Sequence, residues 1–194
     1  MRQINASAAK RGDKGAVGAL EVVAKPIFAK SDTEWLTKAR AEYAHSPGPP
    51  VFRLVFPGAE FSADDVLTHV AATCAVTSPI KFCLRSAVIV PEPGAGSYHV
   101  FLVPDEGFGA IIRLHDRLHV GPLAGCLRPE VPYIPHLTVA SVKEFNAARR
   151  IKAKLNGYDL GIDGRVDALE IHERGGDAPK CIADIPLRHH RLFR

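Results

Sequence analysis

One feature limits the possible folds of this chain more than any other: an internal repeat of pattern. Pro50-Val51-Phe52-Arg53-Leu54-Val55 reads as a short strand, followed by a Ser-led helix, a strand, a Gly/Pro turn and a returning strand. Pro135-His136-Leu137-Thr138-Val139-Ala140 is followed by the same series. The copies share order and pattern more than identity, and their spacing of about 85 residues is too long for a solenoid. A duplicated α+β unit accounts for it: two antiparallel sheets forming two lobes, helices outside, and an approximate two-fold relating the halves. The two corresponding strands can then face each other across a cleft.

The remaining elements fit this frame. Residues 19–28 read as a strand ended by Pro26, and Ser31-Asp32-Thr33-Glu34 as a capping box for a helix reaching about Ala44, with Trp35, Ala39 and Tyr43 inward. Residues 51–58 form a strand closed by Pro57 and Gly58. Ser62 caps a helix whose Val66, Leu67, Val70 and Cys74 form one stripe. "IKFCLRSAVIV" and "YHVFLVP" form a hairpin around "PEPGAGS", and a helix over about residues 106–119 stops at Gly121. Ser141-Val142-Lys143-Glu144 caps a fourth helix lined by Phe145, Ala148, the Lys152 stem and Leu155 and ended by Gly157. "GRVDALEIHER" and "KCIADIPL" are strands joined by "GGDAP". Residues 1–18 are expected to form a flexible arm, residues 19–187 a single two-lobed domain and residues 188–194 a basic tail.

With 46% hydrophobic and 24% charged residues, 194 residues can build one sizeable core. The net charge of +4 points weakly to an anionic partner. Cys74, Cys83, Cys126 and Cys181 form no CxxC pair; three read as small core residues, which suits a reduced setting. No apolar run approaches the roughly 18 residues of a membrane span. The basic N-terminal stretch lacks the apolar core of a secretory signal, so a cytoplasmic monomer that binds no membrane is expected.

The chemistry lies in "YIPHLTVAS". Residues two apart on a strand share a face, so His136 and Thr138 stand together while Leu137 and Val139 point into the core. A hydroxyl can hold a phosphate oxygen, and an imidazole transfers protons near neutral pH. The alternative is a buried polar pair bonded to backbone. Hydrolysis of a cyclic phosphodiester needs two such groups, a base for water and an acid for the leaving oxygen. One His-x-Thr in each half would supply both.

With its place before a capped helix in the second half of a duplicated chain, "PHLTVA" resembles the second motif of the 2H phosphoesterase superfamily, which includes RNA 2′,3′-cyclic phosphodiesterases and 2′-5′ RNA ligases. The resemblance runs from about residue 19 to residue 187. It takes in the "PP…LVFPG" setting of the family's first motif and the helix "GAIIRLHDRLH". It implies a two-lobed fold with a His-x-Thr/Ser pair on each of two equivalent strands. His136 and Thr138 match the second pair and carry the implied catalytic role. The first pair is degenerate: Val51 stands where the histidine should be and Arg53 where the hydroxyl should be. A valine cannot transfer a proton, whereas Arg53 could hold a phosphate and lower the pKa of a nearby histidine; it could equally be a snorkelling edge-strand arginine.

The resemblance therefore implies recognition of a phosphate ester, either an RNA end or a cyclic nucleotide. Catalysis is expected to be impaired or altered, and the alternative is a non-catalytic phosphate-ligand or RNA-binding protein. No cofactor and no metal are expected. His99 shares a face with Phe101 and Val103 at the core or cleft edge and could replace the missing histidine. His69 reads as solvated, and His172, on the face of Glu170, as exposed. His115 and His119 have the i, i+4 spacing of zinc ligands, but no further ligand accompanies them, so half-buried packing is the simpler reading. The Gly-rich turns read as hairpins, and the tail "LRHHRLFR" as a solvated end.

Overall fold

A computed structural model describes residues 19–43, 48–56, 61–92, 94–174 and 179–188. The expected arm, the Pro57-Gly58 closure, most of the "GGDAP" turn and the tail from residue 189 lie outside these. The described chain forms two antiparallel sheets. Sheet A has the order β3 (Phe52–Val55), β1 (Ala19–Ala24), β8 (Ala168–Arg174), β9 (Lys180–Pro186). Sheet B has the order β2 (Ile27–Phe28), β7 (Ile162–Val166), β4 (Ile80–Glu92), β5 (Ser97–Glu106), β6 (Leu137–Val142). The helices are α1 (Lys30–Glu42), α2 (Ala63–Ala75), α3 (Phe108–Leu118) and α4 (Phe145–Asn156).

The sheets are sewn together by two segments that change sheet. "ALEVVAKPIF" is not one strand: Pro26 donates no hydrogen bond, so the ladder breaks and the chain passes from β1 in sheet A to β2 in sheet B. "GRVDALEIHER" likewise divides at Asp167, with β7 in sheet B and β8 in sheet A. The crossings are neighbours, because β1 pairs with β8 and β2 with β7. One core follows from this. Val22, Phe52 and Leu54 of sheet A belong to the same buried cluster as Phe82, Leu102 and Leu137 of sheet B. Phe52 meets Phe82 edge-on at a 5.0 Å centroid distance, and each such buried side chain stabilises the fold by roughly 1.5–3 kcal/mol.

The helices cover this core from outside. Ser62 caps α2 as expected, accepting from the Asp65 amide, and Val66, Val70 and Cys74 face inward while Leu67 is exposed. Two expected caps fail. Ala29, not Ser31, precedes α1, whose buried residues are Leu36 and Ala39; Trp35 and Tyr43 lie at the margin. Glu144 precedes α4, because Ser141 is still held in the β6 ladder opposite His99. Ala148 and Leu155 of α4 are buried, whereas Phe145 stays half exposed against Tyr98. The β4–β5 hairpin turns through Gly94 and Gly96 at φ +77° and +63°, which side chains with a Cβ rarely adopt.

Asn156 fastens α4 to sheet B. Its side-chain oxygen accepts from the Ala87 amide at 2.6 Å and its amide donates to the Ala87 carbonyl at 3.0 Å. This pair of bonds lies beyond Leu84, where the β4–β7 ladder ends, and gives the Ala87 backbone a partner there. Asn156→Ala should destabilise the protein by about 1–3 kcal/mol in chemical denaturation, since a part-buried backbone pair loses both partners.

Candidate functional site

The site begins with strand alternation. Phe52 and Leu54 are fully buried, so Arg53 projects from the opposite face of β3. Leu137 and Val139 are fully buried, so His136 and Thr138 share the other face at the start of β6. β3 is an edge strand of sheet A and β6 an edge strand of sheet B, yet the positive charge of Arg53 acts on the His136 ring. Arg53, from the first half of the chain, thus lies within electrostatic range of His136, from the second. Val51, just before β3, is half-buried and has no titratable group.

His136 is a neutral imidazole with a defined tautomer. Nδ1 donates to the Ile134 carbonyl at 2.6 Å, which leaves Nε2 as the acceptor. Its ring stacks on Phe101 at 3.6 Å, and His99 also stacks on Phe101, at 5.6 Å. Burial pushes its pKa down to about 4, against the pull of the Ile134 carbonyl, with smaller downward contributions from the charges of Arg53 and His99. At neutral pH Nε2 can accept a proton but has none to give. The Thr138 hydroxyl makes no hydrogen bond among the described residues. The Thr138 carbonyl takes one from Arg40 Nε at 3.2 Å, tying α1 to the strand.

Arg53 is held, and only partly consumed, by a carboxylate that the sequence did not advertise. Its Nε donates to Glu21 Oε2 at 2.9 Å. Glu21 lies on β1, is 2% exposed, and also takes Arg174 Nη2 at 3.1 Å, with His172 Nδ1 at 3.7 Å. A buried carboxylate needs such partners to remain charged. The Nη groups of Arg53 make no hydrogen bond among the described residues; its guanidinium lies 5.7 Å from the Phe56 ring, which Arg128 approaches at 5.6 Å. This geometry leaves a fork of donors for an anion.

Two of the other histidines, His69 and His172, depart from expectation. His99 is 24% exposed, with Nε2 3.4 Å from Glu92 and a buried Nδ1 that has no partner among the described residues, and Phe101 lies between it and His136 in the stack. His69 is not solvated: it is half-buried and donates to the Leu118 carbonyl at 3.0 Å, closing the end of α3. His172 is not exposed but 15% accessible, hydrogen-bonded to Glu170 at 2.8 Å. His115 and His119 are both buried, their rings 4.1 Å apart; His119 donates to the His115 carbonyl and His115 stacks on Tyr133 at 3.9 Å. They pack as a pair at the end of α3. Sequence reasoning missed Glu21 and Phe101 as members of the site. The only signal for Glu21 was a lone acid inside the otherwise apolar "ALEVVA". A groove of about 250 Å³ between α1 and α4, lined by Trp35, Tyr43, Lys154 and Tyr158 among others, includes none of Arg53, His136 or Thr138.

The sequence pattern of the 2′-5′ RNA ligase superfamily matches residues 28–178, and the chain belongs to that superfamily, the 2H phosphoesterases. Among curated proteins no relative matches the sequence. Solved structures share the fold. TT0787 of Thermus thermophilus superposes with a TM-score of 0.61 at 16% identity, covering 88% of this chain and 98% of its own. E. coli LigT, crystallised with 3′-AMP, gives 0.58 at 14% identity over 89% and 99%. Usb1 of Kluyveromyces marxianus, with uridine monophosphate, gives 0.51 at 9% identity over 89% and 99%. At these identities the likeness is one of fold: two antiparallel sheets flanked by helices.

Two outcomes test the site's electrostatics. The folded pKa of His136 lies below its ordinary 6.5, so between pH 6.5 and about 4 the unfolded chain binds more protons. Stability from the neutral ring is therefore present above pH 6.5 and lost as pH falls towards 4, by about 2 kcal/mol between pH 7 and 5. His136→Asn, which can still donate to Ile134, should flatten that slope in urea melts at the two pH values. Separately, Arg53→Met leaves Glu21 to Arg174 and should cost about 1–3 kcal/mol, with Glu21→Gln in the same background recovering part of it. A double-mutant cycle reads that coupling.

Proposed function

We propose that this protein recognises a phosphate ester of the 2′,3′-cyclic phosphodiester class, an RNA end or a cyclic nucleotide, at Arg53, His136 and Thr138. What supports the reading is that the charge of Arg53, on β3, acts on the neutral His136 ring at the start of β6, while the Arg53 Nη groups and the Thr138 hydroxyl have no hydrogen-bond partner among the described residues. The phosphate-bearing nucleotides crystallised with LigT and Usb1 are in keeping with it. The reading takes residues 19–187 as one domain acting as a monomer.

In this scheme the guanidinium Nη groups of Arg53 and the Thr138 hydroxyl hold the phosphoryl oxygens. His136 Nε2 accepts a proton from the attacking water, and the resulting imidazolium is stabilised by the anion it faces. No second imidazole stands at Val51 to protonate the leaving oxygen. General acid catalysis typically contributes about 10²- to 10⁴-fold, so turnover is slower by about that factor than with two histidines. The second reading, binding without turnover, draws on the same two facts: the valine at position 51 and a His136 that carries no proton to donate at neutral pH.

A 2′,3′-cyclic nucleotide assay separates the two. Slow hydrolysis abolished by His136→Ala, and raised by the double replacement Val51→His with Arg53→Thr, supports a one-histidine enzyme. Binding that weakens with salt, as phosphate contacts do, and no hydrolysis by any variant supports the binding protein. Robust hydrolysis that survives His136→Ala would remove His136 from the mechanism.

A further inference from the structure

Beside Arg53 on the polar face of sheet A lies a second cluster to which the phosphate site assigns no role. Glu170 and His172, two apart on β8, and Cys181 on β9 each offer one ligand atom, and these atoms lie within 4.8 Å of one another. Their meeting depends on a register shift. Ile171 pairs with Ala183, but His172 pairs with Cys181, so Ile182 is an extra residue. Without that bulge Cys181 would stand opposite Glu173 and point to the other face. With it, a thiol, an imidazole and a carboxylate share one face of a two-strand platform.

We propose that Glu170, His172 and Cys181 form a binding site for a divalent transition-metal ion of the Zn²⁺ class. The donor set suits such an ion: sulfur, nitrogen and oxygen at about 2.0–2.3 Å, arranged tetrahedrally, with three protein ligands and a fourth position left for water or another donor. Ligand atoms of that geometry lie about 3.3–3.8 Å apart, so the cluster needs only closing movements of about an ångström. Cys181 is also the one accessible thiol among the four cysteines: Cys74, Cys83 and Cys126 are buried, whereas Cys181 is exposed.

The surroundings of His172 point the same way. Metal-bound histidines usually donate their other nitrogen to a carboxylate. His172 Nε2 is 2.8 Å from Glu170, and Nδ1 is 3.7 Å from Glu21, a carboxylate only 2% exposed. With Nε2 on the ion, Nδ1 faces Glu21 and would need to close by roughly half an ångström to donate to it. Lys25, 4.0 Å from Glu170, is the cation the incoming ion must compete with. Because Glu21 also holds Arg53, the ion and the phosphate-binding arginine share one carboxylate.

The test uses the metal-free full-length chain titrated with Co²⁺, which reports thiolate ligation by a sulfur-to-cobalt charge-transfer band and four-coordination by intense visible bands. Saturation is expected at one ion per chain, with bleaching by Zn²⁺. Cys181→Ser, at an exposed position on an edge strand, should abolish the charge-transfer band. Glu21→Gln should keep the band and weaken affinity about 10- to 100-fold, as loss of a histidine's carboxylate partner does. Replacing His189 and His190 of the tail by alanine should change neither. Absence of the band at excess Co²⁺, its survival in Cys181→Ser, or its loss in the tail variant would overturn the site. None of these outcomes depends on phosphate binding.

Discussion

Glu21 is the residue on which the polar half of this structure depends. A carboxylate 2% exposed on a central strand must be balanced, and Arg53, Arg174 and His172 converge to do it. Without those partners the charge would cost several kcal/mol to bury. The balance has a geometric consequence. Arg53 is pinned by its Nε, so its remaining donors are fixed in direction instead of sweeping through solvent. A fixed fork loses less entropy on binding an anion than a free side chain would. Arg53 thus occupies a built position, with an acid beneath it.

The second half of the site is organised by a different force. His136 is set by stacking on Phe101 and by one backbone hydrogen bond, and burial keeps it neutral. Sheet A supplies positive charge supported by a carboxylate, and sheet B supplies a neutral acceptor on an aromatic platform. Two-histidine chemistry uses two imidazoles that exchange acid and base roles. An arginine cannot exchange roles, because it never gives up its proton at physiological pH.

Much of this was legible in the sequence. Period-two alternation in "VFRLVF" and "PHLTVA" gave the outward faces of Arg53, His136 and Thr138, and the repeat of element order gave two sheets whose edge strands β3 and β6 correspond. What the sequence hid were relations between strands. Pro26 and Asp167 mark sheet crossings, but a proline or an aspartate within a strand pattern reads as a strand end. Ser31 and Ser141 looked like helix caps because the local motif is right; in the fold, ladder pairing holds Ser141 in β6. Glu21, flanked by Leu20 and Val22, has the pattern of a solvent-facing residue, and only the β1–β3 and β1–β8 pairings bury it. The bulge at Ile182, which decides where Cys181 points, leaves no mark in residue types at all.

The central claim is that one phosphoryl group is held between the two sheets by residues from both halves of the chain. A crystal structure of the protein soaked with a nucleoside 2′,3′-cyclic phosphate tests it most directly. The phosphoryl oxygens are predicted to lie within hydrogen-bond distance of Arg53 Nη and Thr138 Oγ1, with His136 Nε2 facing the phosphorus. A nucleotide bound elsewhere, with Arg53 still committed to Glu21 alone, would contradict it.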